Sequence, residues 1–243
     1  MSKALVIIPT YNELENIPIV LERVIELPIP FDVLFVDDNS PDGSAALIKQ
    51  YIKKFKSRVF LESKNKKEGL GKAYTHGFKW ALDRDYDCIF EMDADLSHNP
   101  DDLIKMYHEI NDSNCDVVIG SRYINGINVV NWPLSRIILS YLASIYSRVI
   151  TGLPVKDATS GFVGFKRKVL EKMNLKSILF NGYAFQIELK FKAYKNNFRI
   201  LEIPIIFKDR IHGESKMNGD IILEAIFGLI KLKIYSYFYN INK

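Results

Sequence analysis

Cys88-Ile89-Phe90-Glu91-Met92-Asp93-Ala94-Asp95 sets a mostly apolar run of strand length directly before two aspartates that bracket one small residue. A run that is apolar at successive rather than alternate positions suits a strand covered on both faces, hence a parallel sheet wrapped by helices. Working outward, residues 4–8, 33–36, 59–61 and 117–119 read the same way. Between them, residues 17–27, 45–55, 73–82 and 103–110 space their apolar side chains by three and four, the helical period. Strand–helix alternation predicts an α/β sandwich of right-handed crossovers, with ligands at the carboxyl ends of the strands. The unusual residues fall there: Pro9-Thr10-Tyr11-Asn12-Glu13, Asp37-Asp38-Asn39-Ser40-Pro41-Asp42-Gly43 and Asp93-Ala94-Asp95.

After Arg122 the pattern changes. Residues 132–151 read as one long helix, 157–161 as a turn-rich loop, 162–165 as a strand and 185–194 as a helix. Residues 200–207 read as a strand, 208–218 as a loop and 220–238 as a final apolar helix. Without repeats or a Gly/Ser linker, the chain divides into one domain over residues 1–218 and a helical segment over 219–243.

At 243 residues, 48% hydrophobic and 26% charged, the chain is neither disordered nor a disulfide scaffold. A net charge of +4 is too small for a nucleic-acid binder, so no nucleic-acid partner is expected. Cys88 and Cys115 are expected as reduced core residues, and Lys64, Lys66 and Lys67 as a solvated loop face. The first apolar run, residues 4–8, is too short for a signal peptide, and no stretch reaches the roughly 20 uncharged residues that cross a bilayer. The expectation is a protein on the cytoplasmic side.

Paired carboxylates at a strand end raise each other's pKa unless a cation intervenes. A hard divalent ion sharing them with substrate phosphates relieves this, while a plain capping role for either aspartate is the simpler reading. Asp37-Asp38 forms a second acidic pair, suited to a base or ribose or to a turn. No Gly-x-Gly-x-x-Gly follows the first strand, and Gly69-Leu70-Gly71-Lys72-Ala73 lacks the spacing of an ATPase phosphate loop.

Taken with Gly120-Ser121-Arg122-Tyr123, Asp157-Ala158-Thr159-Ser160-Gly161-Phe162 and Gly213-Glu214-Ser215-Lys216, these motifs fall in one order and spacing across residues 4–218. Together they resemble the dolichol-phosphate (polyprenol-phosphate) mannosyltransferases, inverting nucleotide-sugar enzymes of the GT-A fold. The resemblance implies a guanosine pocket of Pro9, Tyr11, Glu13, Val36 and Asp38 for GDP-mannose. It implies Mg²⁺ or Mn²⁺ on Asp93 and Asp95, with Ala94 near the nucleotide. Ser97 stands where some relatives carry a metal-binding glutamine. Arg122, Arg210 and Lys216 match donor- and phosphate-contacting positions, and Arg136 and Ser140 match the acceptor-phosphate position.

The long helix bears on the acceptor independently. Arg136, Ser140 and Ser144 recur every four residues, a small, polar, cation-bearing stripe on an otherwise apolar helix. The expected reaction is inverting mannosyl transfer to a polyprenyl monophosphate, with Asp93, Asp95 and Arg122 as catalytic residues. The same chemistry with UDP-glucose, and a non-catalytic nucleotide-sugar or lipid-binding module, are the alternatives. A nucleotidyltransferase would want a Gly-rich basic loop where Pro9 to Glu13 stand. The terminal helix mixes apolar residues with Lys231, Lys233 and tyrosines, as a helix lying in a membrane interface does, which implies peripheral attachment at the cytoplasmic face. Packing on the sheet is the other possibility for it. Nothing in the residues names a membrane-anchoring partner subunit.

Overall fold

Ala4–Thr10 (β1), Phe31–Asp37 (β2), Val59–Ser63 (β3), Cys88–Glu91 (β4) and Val117–Ser121 (β5) are strands, as their apolar runs predict. Asn16–Ile25 (α1), Ser44–Lys54 (α2), Leu70–Leu82 (α3) and Asp102–Asp112 (α4) are the intervening helices. The structure is a computed structural model and describes residues 2–182, 184–210 and 219–238. The second half adds Val129–Val130 (β6), Leu134–Thr151 (α5), Val163–Lys166 (β7), Arg167–Lys172 (α6), Ala184–Lys195 (α7), Ile200–Pro204 (β8), Phe207–Lys208 (β9) and Gly219–Phe238 (α8).

The main sheet runs β3-β2-β1-β4-β7-β5-β8. All its pairings are parallel except those of β7, which lies antiparallel to both β4 and β5. Helices cover both faces. One core cluster joins Leu5, Ile7 and Ile89 to α3, α7 and α8, and the other joins Val6, Ile8 and Phe90 to α1 and α4. Burial explains the continuous apolar runs: residues 4–8 are all buried. Gly164 admits β7 beside its neighbours, since a Cβ there would stand 2.6 Å from the Phe90 ring.

The antiparallel strand also shapes the site. Because β7 runs against its neighbours, the loop that enters it arrives at the carboxyl ends of β4 and β5. The 157–161 loop thus joins the strand-end loops that carry Asp93 and Arg122.

Two boundaries differ from the periodicity. The stretch 200–207 is two strands: β8 ends at Pro204, tolerated on this edge strand, and β9 pairs instead with β6 in a separate small sheet. The long helix starts at Leu134 rather than Trp132, since the residue before Pro133 is pushed to extended backbone. Cys88 and Cys115 are buried and unpaired, as expected. Among the described residues, no helix is long and apolar enough to cross a membrane.

Candidate donor and acceptor site

Three strand-end loops turn through the left-handed region at non-glycine residues, with φ of 59° at Asn12, 61° at Asn39 and 61° at Leu96. Asparagine tolerates this conformation; leucine does not, so strain is stored beside the two aspartates. The turn at Leu96 lets the Ser97 N–H donate to Asp95 Oδ1 at 3.1 Å. Asp93 is oriented from the other side, its Oδ1 accepting from the Tyr74 hydroxyl at 3.3 Å.

Both carboxylates line a cavity of about 410 Å³. Arg122, Arg136, Ser140 and Arg210 line it too, so six of the expected site residues meet in one place. The rest of its wall is largely apolar: Leu139, Leu142 and Ala143 from α5, Ala184 and Ile187 from α7, Ile226 and Leu229 from α8. One cavity therefore has a charged end and a greasy flank.

Its cations are held by carboxylates. Arg122 donates from Nε to Asp157 Oδ2 and from Nη2 to Asp157 Oδ1, both at 2.7 Å, and from Nη2 to Thr159 Oγ1 at 2.8 Å. Burial penalises the Arg122 charge, but Asp157 more than offsets this and raises its pKa; Asp157 is held below the usual carboxylate range in return. Arg136 Nη1 donates to Asp209 Oδ1 at 2.8 Å, its guanidinium 4.1 Å from the Trp132 ring centre. Arg210 Nη2 lies 3.5 Å from Asp95 Oδ2. Ser140 Oγ accepts from the Tyr123 hydroxyl at 2.7 Å.

The other expected residues lie elsewhere. Asp38 anchors a loop: its Oδ1 is 2.9 Å from Lys64 Nζ, and its Oδ2 accepts from the N–H groups of Glu68 and Gly69 at 3.2 and 3.3 Å. Lys67 sits over the Tyr11 ring, 3.9 Å from its centre. The lysine cluster is therefore not simply a solvated face, because Lys64 and Lys67 are drawn onto the first two strand-end loops. Glu13 accepts from the Asn16 side chain at 2.8 Å, and Pro9 is half-buried. Val36 and Ala94 are buried in the core, which leaves only their main chain to meet a nucleoside. Ser97 is buried, does not line the cavity, and its hydroxyl has no hydrogen-bond partner among the described residues. Lys216 lies outside the described residues.

Residues 5–173 match Glycosyl transferase family 2. The chain belongs to this family. It is 44% identical over 225 residues to the polyprenol monophosphomannose synthase of Mycolicibacterium smegmatis, covering 93% of this chain and 84% of that protein. It is 40% identical over 229 residues to the undecaprenyl-phosphate mannosyltransferase of Micrococcus luteus, covering 94% and 93%. Its fold is that of glucosyl-3-phosphoglycerate synthase from Mycobacterium tuberculosis, solved with Mn²⁺, UDP and phosphoglyceric acid (TM-score 0.66, 14% identity, 97% of this chain and 78% of that one). A mannosyltransferase from Pyrobaculum calidifontis, solved with GDP-Man and Mn²⁺, shares it at TM-score 0.59 and 17% identity, over 88% of this chain and 58% of that one. The expected GT-A-type sandwich is the observed fold, and the protein is a glycosyltransferase.

Several parts of this glycosyltransferase's site escaped motif reading. Tyr74 comes from the middle of an ordinary-looking helix, and its hydroxyl pKa is pushed well up by burial and by Asp93. Beneath the cavity, Lys190 Nζ donates to the Ser160 carbonyl at 2.7 Å and the Gln186 carbonyl at 3.1 Å, fixing the 157–161 loop from below. Burial pulls Lys190 down to about 8 and pushes its neighbour Glu91 up to about 8. The signal in sequence was faint: Gln186-Ile187-Glu188-Leu189-Lys190 alternates polar and apolar on a helix that turns out to be buried on every side.

The α5 stripe reads as expected but faces inward. Ser144 and Ser147 are buried, and Ser144 Oγ lies 3.2 Å from Thr159 Oγ1. Outward, α5 shows apolar residues to solvent, with Leu134 71% and Val149 75% exposed. Helix α8 packs Leu229 and Leu232 into the core, lines the cavity with Ile226 and leaves Phe227 68% exposed. It therefore both packs and presents apolar surface.

Proposed function

We propose that this glycosyltransferase moves a mannosyl residue from GDP-mannose to a polyprenyl monophosphate, inverting the anomeric carbon. One observation carries the reading: a single cavity joins Asp93, Asp95 and three arginines to an apolar flank formed by α5, α7 and α8. A sugar diphosphate needs the first and an isoprenoid chain the second. The names of the two mannosyltransferase relatives support mannosyl transfer and a polyprenyl-phosphate acceptor, and GDP-Man is bound in the Pyrobaculum calidifontis structure that shares the fold.

The donor set suits a divalent cation. Asp93 and Asp95 offer hard oxygens at one cavity wall, Asp93 accepting from the Tyr74 hydroxyl and Asp95 from the Ser97 N–H. Among the described residues there is no cluster of three or more His, Cys, Asp or Glu side chains able to enclose a metal. The two carboxylates suit Mg²⁺ or Mn²⁺, which shares one or two carboxylates with substrate phosphates and water. Held by Asp93 and Asp95, such an ion would supply positive charge against the nucleoside diphosphate.

The acceptor phosphate is already anionic near neutral pH, so its oxygen attacks C1 without a general base. The protein's task is positioning and electrostatics. Arg122, locked by Asp157, and Arg136, locked by Asp209, hold fixed donors where two phosphate groups would otherwise repel. Arginine's planar fork suits both. The apolar outer face of α5, with that of α8, rests on a membrane surface, from which the lipid acceptor enters the cavity flank.

A radiolabelled transfer assay with a short polyprenyl phosphate tests this, comparing GDP-mannose with UDP-glucose. Transfer from GDP-mannose that stops on chelation, and in Asp95→Ala, is the expected result. Equal or better transfer from UDP-glucose reassigns the donor, and undiminished turnover in Asp95→Ala overturns the site.

A further inference from the structure

One polar group of the cavity has no task in the reaction as described. His98 lines the cavity with Asp93, Asp95 and Arg122, yet the residue as a whole is only 2% exposed. Its ring is fixed on both sides. Phe162 stacks on it with centroids 4.8 Å apart and planes at 17°, and Phe207 meets it edge-on at 5.2 Å. Among the described residues the ring has one hydrogen bond, in which Nδ1 accepts from the Asp93 main-chain N–H at 3.3 Å. The nearest carboxylate oxygen to Nδ1, Asp93 Oδ2, is 3.9 Å away, too far to accept a proton from it.

An Nδ1 that accepts must carry no hydrogen, so the neutral ring keeps its proton on Nε2. Nε2 has no hydrogen-bond partner among the described residues, and it is not among the polar atoms sealed in the core. Its remaining contact is therefore with the cavity. The structure thus holds a neutral N–H donor at fixed orientation, between two aromatic rings, at the wall shared with the paired carboxylates.

We propose that His98 is a substrate-contacting residue whose Nε2–H donates to a hydroxyl of the transferred sugar. The division of labour in the cavity favours a hydroxyl over a phosphate. Phosphate oxygens are met there by three guanidinium groups, whereas a neutral donor flanked by aromatic faces matches an uncharged, partly apolar hexose. A site built to bond a hydroxyl discriminates strongly against sugars that lack it, because its buried donor is then left unpaired. The inference rests on the donor assignment above and would make His98 a residue that selects the sugar.

The test compares the wild type with His98→Phe, which keeps the aromatic stack and removes the donor, and with His98→Gln, which offers an amide N–H near the Nε2 position. Turnover of GDP-mannose is measured alongside the affinity of GDP alone, with thermal unfolding confirming that each variant folds. A ~10²-fold fall in kcat/KM for His98→Phe, unchanged GDP affinity and partial recovery in His98→Gln are expected. A panel of deoxy-sugar donors should contain one that wild type and His98→Phe use equally, which names the hydroxyl. Unchanged turnover in His98→Phe overturns the proposal, as does an equal loss of GDP affinity, which would place the contact on the diphosphate. A wild type that ignores GDP-mannose sinks the donor assignment instead; the same comparison is then made with UDP-glucose, and the same outcomes decide the role of His98.

Discussion

Arg122 and Asp157 form a buried, doubly hydrogen-bonded pair, with both N–O separations at 2.7 Å and a third bond from the Arg122 main-chain N–H to Asp157 Oδ2 at 2.9 Å. The pair joins the end of β5 to the loop before β7, and it decides where the guanidinium points. Removing one partner of a buried pair leaves the other charge uncompensated, which costs about 3–5 kcal/mol. Asp157→Asn should therefore lower the urea midpoint and cut transfer together. Arg122→Lys should also be poorly active, because an ammonium cannot reproduce the two-point bond. Full activity in Arg122→Lys would show that charge alone suffices.

Tyr74 acts on Asp93 through one hydroxyl. Tyr74→Phe keeps the ring stacked on Phe185, whose centroid is 6.1 Å away, and removes only the bond. Partners that orient metal ligands typically contribute about 10–100-fold in metal affinity. The Mn²⁺ concentration for half-maximal transfer should rise by about that factor, with the maximal rate at saturating Mn²⁺ much less affected. An unchanged Mn²⁺ titration would remove Tyr74 from the site.

Gly228 lets α8 close on the loop before α7, since a Cβ there would overlap the Phe180 ring. Overpacking of this kind costs about 1–3 kcal/mol. Gly228→Leu should lift α8 from the cavity that Ile226 and Leu229 line. The expected signature is a raised KM for polyprenyl phosphate with GDP affinity preserved, measured by transfer kinetics and calorimetry.

Val149 and Leu134 project from the outer face of α5, far more exposed than apolar residues usually are. Replacing both with glutamate should leave the unfolding temperature nearly unchanged and weaken binding to anionic phospholipid vesicles, as vesicle co-sedimentation would record. Unaltered co-sedimentation would move the membrane-facing surface elsewhere.

Burial pulls the His98 pKa down from the ordinary value of 6.5 to about 4. The unfolded chain takes up this proton near the ordinary value, while the folded protein refuses it until about 4. Stability that is complete above pH 6.5 is thus lost progressively as pH falls toward 4. Denaturation midpoints followed through that window should decline less steeply in His98→Phe than in wild type.

How far the residues alone could be read varied along the chain. Strands β1, β2, β4 and β5 were legible because burial on both faces leaves a continuous apolar run, a local and unambiguous record. Asp93, Asp95, Arg122, Arg136, Ser140 and Arg210 were legible as site residues because their types stand at strand ends, in the inward stripe of α5, or in motifs of fixed order. Tyr74, Gln186 and Lys190 were not, since a tyrosine, glutamine or lysine within a helix looks the same whether it faces water or a carboxylate. The lysine cluster after β3 misled for the same reason: charge runs are usually solvated, and only the approach of β1 and β2 turns Lys64 toward Asp38 and Lys67 toward Tyr11.

The amino-acid sequence by itself determined an α/β sandwich, the strand ends that carry the chemistry, and a long helix with a small polar stripe among apolar residues. Periodicity and composition are local, so they survive without knowledge of neighbours. Only the tertiary structure decided that β7 runs antiparallel, that its loop therefore meets Arg122, and that the stripe of α5 faces inward while its apolar residues face out. Those outcomes depend on which distant segments meet, such as Arg122 and Asp157, 35 positions apart in the chain. Pairing of distant segments is settled by packing and by the burial of charge against charge, neither of which leaves a period in the sequence.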